Sequence, residues 1–219
     1  MSSRHSGWQS ITSISSANHR FLEKEDLCMY LMTRESHSRE ERPAQYSEAY
    51  QKVANLKITR SDLRANPYRS RHKEAAIGQF SNDLCGLFAQ SEASFVLVPA
   101  VTSKAESDPD FDDRIVRVCN AVAERLAQVR CEPVLSLKSS IPSASRSYGR
   151  RDPDLIRSYI RVEPLRDLSC DFVLIVDDVI SSGAHFKACQ RAVFDAYGVK
   201  AGGAFWARAE ESPLEQRGL

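Results

Sequence analysis

Five consecutive apolar residues, Phe172-Val173-Leu174-Ile175-Val176, lead directly into two adjacent acids, Asp177 and Asp178. A short, uninterrupted apolar run that ends in polar residues is typical of a strand buried on both faces of a parallel sheet. Apolar residues then recur at helical spacing from Phe186 and stop at Gly198, a residue type that commonly ends helices. The segment therefore predicts a buried strand, a tight polar turn and a helix in direct succession.

A second strand and helix are predicted earlier in the chain. Phe95-Val96-Leu97-Val98 is another short apolar run, and residues 115–126 carry apolar side chains at spacings of three and four. Further short strands are expected at residues 133–137, 159–162 and 202–207. This alternation predicts an α/β fold, a doubly wound parallel sheet flanked by helices. Because ligands bind at the carboxyl ends of such strands, the turn after Val176 is the expected site.

The chain of 219 residues is long enough for one substantial core. Residues 1–20 are Ser-rich and contain no acid, a pattern that fits a disordered tail or an organelle targeting segment; we expect the tail. A helical pattern follows, clearest between Ala76 and Phe88. The predicted organisation is a tail at 1–20, a helical hood at 21–92, an α/β core at 93–209 and a polar tail at 210–219.

Composition argues against several classes of protein. The formal net charge of +1 gives no global field for nucleic acid or an anionic membrane. No apolar stretch approaches the length of a membrane span, so we expect a soluble, cytoplasmic protein. The six cysteines form no C-x-x-C pair, so neither a zinc site nor a disulfide framework is indicated, and we expect reduced thiols.

The turn after the buried strand has the chemistry of a ribose-phosphate site. The small and hydroxyl residues Ser181-Ser182-Gly183 would let backbone N–H groups and the positive end of the next helix surround a phosphate. Asp177 and Asp178 would repel that phosphate but could accept hydrogen bonds from the neutral diol of a ribose. The alternative is a solvated acidic turn in which Ser182 is an ordinary helix N-cap.

The thirteen residues FVLIVDDVISSGA, from Phe172 to Ala184, resemble the phosphoribosyl diphosphate (PRPP) signature of type I phosphoribosyltransferases. Within that superfamily the layout is most similar to ComF-like proteins. Three further features of this chain are similar to those proteins: Lys57, the helix start His72-Lys73-Glu74-Ala75-Ala76 and the segment Phe205-Trp206-Ala207-Arg208. The resemblance covers about residues 56–208.

The resemblance implies roles for two loops. Asp177 and Asp178 would be the catalytic acids, would hold the ribose hydroxyls and would contact Mg²⁺. Ser103 and Lys104, which follow the first strand, would bind pyrophosphate. The remaining positions of the PRPP site would be Val179, Ile180, Ser181, Ser182, Gly183, Ala184 and His185, the last standing where the family commonly has a hydroxyl residue.

Other charged segments allow two interpretations each. Acids after Lys104, among them Asp108, Asp110 and Asp112, would repel a diphosphate unless Mg²⁺ bridges them or they face solvent. The loop at 139–153 has two interpretations: it is a lid that closes and brings cations over the diphosphate, or it is a solvated loop. The cations in and beside it are Lys138, Arg146, Arg150 and Arg151. Trp206 and Arg208 would contact an acceptor base or belong to the core and its rim.

The residues between 57 and 73 form a basic segment that is either a solvated arm or a phosphate-contacting patch with weak affinity for nucleic acid. Its cations are Lys57, Arg60, Arg64, Arg69, Arg71 and Lys73.

These features predict a PRPP-dependent phosphoribosyltransferase that uses Mg²⁺ and transfers ribose-5-phosphate to an unidentified nucleobase-like acceptor. The resemblance also implies a homodimer. Two alternatives remain from the sequence: a PRPP- or nucleotide-sensing module associated with a partner or nucleic acid, and a structural domain with a vestigial pocket.

Overall fold

The computed structural model describes residues 7–11, 19–36, 46–142, 152–164 and 169–211. Within these ranges the chain forms eight strands, six α-helices and a short 3-10 helix at Pro67–Arg69. The strands are β1 Gln9–Ser10, β2 Cys28–Ser36, β3 Phe95–Pro99, β4 Val129–Cys131, β5 Leu135–Leu137, β6 Ile160–Val162, β7 Phe172–Ile180 and β8 Gly202–Glu211. The helices are α1 Glu48–Leu56, α2 Arg60–Ala65, α3 Ser70–Phe88, α4 Arg114–Ala123, α5 Pro153–Tyr159 and α6 Ala184–Tyr197.

Six of the described strands form one sheet in the order β1-β2-β8-β7-β3-β4. All neighbouring pairs are parallel except β1 with β2. The prediction of an α/β fold with a mostly parallel sheet flanked by helices is confirmed. Strands β5 and β6 pair antiparallel in a separate small sheet.

The sheet lies between two apolar cores, which explains the uninterrupted apolar runs in its central strands. Val96 and Val98 of β3 face one core, which includes much of α6, and Leu97 faces the other, beneath α1, α3 and α4. Ile175 and Val176 of β7 divide between the two cores in the same way. Because successive side chains of a strand point to opposite faces, both sets must be apolar here.

The prediction of a helical segment at 21–92 is wrong at one element. Residues Cys28–Ser36 form β2, which pairs with β8 inside the main sheet. The sequence of this strand contains Met and Leu, which favour helices, and long-range pairing overrides that local preference. The segments that follow, α1 to α3, are helical as predicted. Residues 12–18 and 37–45 lie outside the described residues.

Several predicted boundaries also shift. Strand β7 continues to Ile180, so Asp177 and Asp178 lie in the strand and not in the loop after it. The strand predicted at 133–137 is shorter, β5 at Leu135–Leu137, and lies outside the main sheet, whose edge strand β4 at Val129–Cys131 was not predicted. Strand β8 ends at Glu211, inside the predicted polar tail, while β1 lies inside the predicted N-terminal tail.

No helix among the described residues is long and apolar enough to cross a membrane.

Candidate functional site

A cleft of about 590 Å³ opens at the carboxyl ends of β3 and β7. These strands are neighbours with Pro99 opposite Val176, so the segments that follow them open side by side. All of the residues predicted for the site line this one cleft, namely Ser103, Lys104, Asp177, Asp178, Val179, Ile180, Ser181, Ser182, Gly183, Ala184 and His185.

Residues 181–183 form a tight turn between β7 and α6. Gly183 has a φ of 82°, in the left-handed region that glycine adopts without strain, and it is the N-cap of α6. Ser182 is therefore not the N-cap, and no side chain caps this helix. The Ala184 N–H at the start of α6 donates to Ser182 Oγ at 3.4 Å, and the positive end of the helix lines the cleft.

The N-terminal segment binds the outer side of this turn. The backbone N–H of His19 donates to the carbonyl of Ser181 at 3.1 Å, and that of Phe21 donates to the carbonyl of Ser182 at 3.0 Å. The imidazole Nδ1 of His19 also lies 2.5 Å from the Ser181 carbonyl oxygen. In a trans peptide the C=O and the next N–H point in opposite directions, so these bonds turn the N–H groups of Ser182 and Gly183 towards the cleft.

Asp178 is held by two cations. Its carboxylate oxygens lie 2.8 Å from Lys57 Nζ and 2.7 Å from a guanidinium nitrogen of Arg114, and its side chain is only 4% exposed. Burial alone would raise the pKa of this carboxyl, but the charges of Lys57 and Arg114 lower the pKa to about 2. Asp178 is therefore ionised at any ordinary pH.

Asp177 has a different environment although it is the adjacent residue. Its Oδ1 accepts a hydrogen bond from the Asp178 backbone N–H at 2.8 Å, and its Oδ2 lies 3.8 Å from His185 Nδ1. Burial, together with the negative charge of Asp178, raises the pKa of Asp177 to about 7. The two acids thus divide into a permanent anion and a group able to exchange a proton near neutral pH.

The acids that follow Lys104 are largely paired. Asp108 binds Lys104 at 3.0 Å, Asp110 binds Arg64 at 3.1 Å, and Asp112 binds both Lys73 and Arg114. A hydrogen bond from the backbone N–H of Asp110, aided by Lys104 and Ser140, lowers the pKa of Asp108 to about 2.

These pairs offset most of the charge that would repel a diphosphate, but they also engage Lys104.

The polar lining residues that the sequence analysis did not predict include Arg34 on β2, Thr59 before α2 and Arg114 on α4. Arg114 occupies the first position of its helix, where a cation opposes the helix dipole. A cation at the start of a helix therefore indicates that acidic residues from other elements lie close to it. Lys57, which is part of the family resemblance, lies at the C-cap of α1 and also lines the cleft.

Two residues considered for an acceptor base do not line the cleft. Trp206 is fully buried, stacks on Phe80 and donates its Nε1–H to Asp83, so it belongs to the core. Arg208 lies over the ring of Tyr30 and faces Glu210.

The structure describes partners for several cations of the basic segment and for Lys138 beside the loop at 139–153. In the basic segment Arg69 pairs with Asp62, and Lys73 is buried against Asp112. Lys57 and Arg64 are also paired, so four of the six cations are not free for nucleic acid. Lys138 donates to the carbonyl of Ser158. Residues 143–151, with Arg146, Arg150 and Arg151, lie outside the described part of the chain.

One cleft therefore contains the turn at 181–183, a carboxyl group with a raised pKa at Asp177 and the loop at Ser103 and Lys104. Among the described residues there is no group of three or more His, Cys, Asp or Glu side chains that could hold a metal ion. A comparison with protein-family models and with curated proteins finds no match for the chain.

Substitution of Gly183 by alanine tests the geometry of the turn. An added Cβ would lie 2.8 Å from Leu22 Cδ2 and would require a positive φ, so we expect a loss of about 2–3 kcal/mol in the free energy of unfolding. Gly198→Ala is the matched control, because its φ is also positive but no atom lies within 4 Å of its Cβ. It should cost only about 1 kcal/mol. Equal losses in urea denaturation would contradict the described packing of Leu22.

Asparagine substitutions of the two acids should have opposite effects on stability at pH 8. Asp178→Asn leaves Lys57 and Arg114 without their shared anion and should cost about 3 kcal/mol. Asp177→Asn removes a carboxylate whose ionisation is opposed by burial, and should stabilise by on the order of 2 kcal/mol.

The contribution of Asp177 to the free energy of unfolding depends on pH. Between its ordinary pKa of 3.8 and about 7 the folded protein keeps a proton that the unfolded chain releases. The contribution of Asp177 to stability therefore falls as pH rises through this window, and the advantage of Asp177→Asn should grow from pH 4 to pH 8. Chemical denaturation measures both effects, and a destabilised Asp177→Asn variant at pH 8 would contradict the assignment.

Proposed function

We propose that the protein is a PRPP-dependent phosphoribosyltransferase of type I fold that transfers ribose-5-phosphate to a nitrogenous acceptor and releases pyrophosphate. The observation that carries this proposal is the convergence of Asp177, the turn at 181–183 and the Ser103-Lys104 loop on one cleft. Each of these groups suits a different part of one PRPP molecule.

The 5-phosphate would bind at the turn and the start of α6. The N–H groups of Ser182 and Gly183, together with that of Ala184, would donate to its oxygens, and the helix dipole would favour its charge. The Ser182 hydroxyl, which lies 3.4 Å from the Ala184 N–H, could rotate to donate as well. His185 lines the same region.

The ribose hydroxyls would donate to Asp177. Its side chain is 15% exposed, against 4% for Asp178, and among the described residues its Oδ2 lies 3.8 Å from His185 Nδ1 and not against a lysine or an arginine. Asp178 already accepts bonds from Lys57 and Arg114 on both oxygens, so its first role would be to orient these two cations at the cleft. This division modifies the expectation that both acids hold the ribose equally.

The diphosphate would lie towards Ser103 and Lys104, with Lys57 and Arg114 nearby in the cleft. Mg²⁺ is usually bound in proteins by one or two carboxylates together with substrate phosphates. Asp177 fits as a protein ligand, whereas both oxygens of Asp178 are occupied by cations. Bound Mg²⁺ would neutralise charge on the leaving diphosphate.

The chain's own contribution to the reaction would be positioning and charge stabilisation. The carboxylates of Asp177 and Asp178 would stabilise positive charge that develops on the ribose ring as the bond to diphosphate breaks.

A non-catalytic module that binds PRPP or a nucleotide is the second candidate. The pairing of Lys104 with Asp108 favours it, because a cation engaged by a carboxylate is less available to a leaving diphosphate. Release of pyrophosphate separates the two candidates, since the module would bind PRPP without turnover.

Titration calorimetry with PRPP and Mg²⁺ tests the shared binding site. We expect binding by the wild type and a roughly 10- to 100-fold weaker affinity for Asp177→Asn, because hydrogen bonds to a charged acceptor are lost. Asp171→Asn is the control, since Asp171 lies at the other end of β7 and bonds to Ser94. The proposal fails if the wild type does not bind PRPP or if Asp177→Asn binds it equally well.

A further inference from the structure

One cation in the lining of the cleft, Arg34, differs from the others in its position and in having no carboxylate partner among the described residues. Four basic side chains line it: Arg34, Lys57, Lys104 and Arg114. The last three each pair with a carboxylate of the chain, at 3.0 Å or less. Arg34 pairs with no carboxylate in the described part of the chain, although acids surround the other cations.

An aromatic side chain packs against the guanidinium of Arg34. Its guanidinium carbon lies 4.8 Å from the centre of the Tyr50 ring, and Tyr50 in turn stacks on Tyr46 with ring centres 4.3 Å apart. Its Nε atom is excluded from solvent and has no hydrogen-bond acceptor in the described structure. The Nε of Arg208, on the neighbouring strand, is also buried without an acceptor, so Arg34 is distinguished by its place in the lining of the cleft.

The sheet order places Arg34 on the side of the cleft away from the predicted diphosphate loop. Strand β3, which leads to Ser103 and Lys104, is on one side of β7, whereas β8 and then β2 are on the other. Arg34 is opposite Ala209 of β8, just beyond the level of Ile180, which is opposite Arg208. Since neighbouring strands are about 4.8 Å apart, β2 and β7 are separated by roughly 10 Å.

Strand β8 lies between these two parts of the cleft. Phe205 and Ala209 of β8 line the cleft between Asp177 and Arg34, the first directly opposite Asp177 in the sheet. In a displacement at the anomeric carbon, the acceptor approaches from the side opposite the leaving diphosphate. The acceptor would therefore lie over β8, with its outer edge towards Arg34.

We propose that Arg34 selects an acceptor that carries a carboxylate, which its guanidinium would bind while the acceptor ring lies over β8. This inference rests on the proposed function and adds the chemical class of the acceptor. A planar guanidinium matches a carboxylate with two parallel hydrogen bonds, and the ring of Tyr50 holds it in that plane.

Matched pairs of acceptors test the proposal: nicotinate against nicotinamide, and orotate against uracil. Each pair shares a ring and differs in the carboxylate. With PRPP and Mg²⁺ present, we expect the wild type to bind the acid of at least one pair about tenfold or more tightly than its neutral partner. Arg34→Gln should reduce that preference to less than about threefold and leave PRPP affinity unchanged, whereas Arg34→Lys should retain part of it.

Arg208→Gln is the control variant. Arg208 is on the neighbouring strand and also lies over a tyrosine ring, but it does not line the cleft, so the preference should persist. Thermal unfolding of each variant establishes that it folds.

Four results would overturn the proposal: binding of neither member of either pair, no preference in the wild type, an unchanged preference in Arg34→Gln, or an equal loss of PRPP affinity in that variant. The last result would place Arg34 at a PRPP phosphate. If the acids bind through Arg34 but PRPP does not bind at all, the proposed function fails and the carboxylate site stands.

Discussion

The buried ion cluster around Asp178 holds the cleft together. Asp178 lies on β7, Lys57 ends α1 and Arg114 begins α4, so one carboxylate joins three elements that are distant in sequence. Arg114 extends the cluster to Asp112, which binds the buried Lys73 of α3. Isolated charges at the buried positions would be costly to remove from water, so they are tolerated only together, whereas Lys57 is 41% exposed and reaches Asp178 from the solvent side. The same cluster that anchors the helices therefore also sets the charge of the cleft floor.

The opposite wall of the cleft depends on the N-terminal segment. His19 and Phe21 bind the carbonyls of the turn after β7, and a second buried network anchors the residues that follow them. In that network Lys187 of α6 binds Asp26, whose side chain is fully buried, and Gln190 bonds to both Asp26 and the carbonyl of Ala201. Helix α6 thus lines the cleft with its own N-terminus and also positions the segment that binds the adjacent turn.

The features that could be predicted from the sequence are those that depend on the pattern of neighbouring residues. The buried strands and the turn chemistry at 181–183 could be recognised because apolar runs and glycine have local causes. Strand β2 could not, because its pairing with β8 is a long-range contact between residues with mixed local preferences. The difference between Asp177 and Asp178 was equally inaccessible, since it arises from cations brought in by α1 and α4. Arg34 carried no signal of its own, because one arginine near the end of a strand has many possible surroundings.

We propose that the turn at 181–183 and Asp177 bind the two ends of one ribose-5-phosphate. The most direct test is a crystal structure of the protein with PRPP and Mg²⁺. We expect the 5-phosphate within hydrogen-bond distance of the N–H groups of Ser182, Gly183 and Ala184, and a ribose hydroxyl within hydrogen-bond distance of Asp177. A phosphate bound elsewhere, or a ribose that does not contact Asp177, would contradict it.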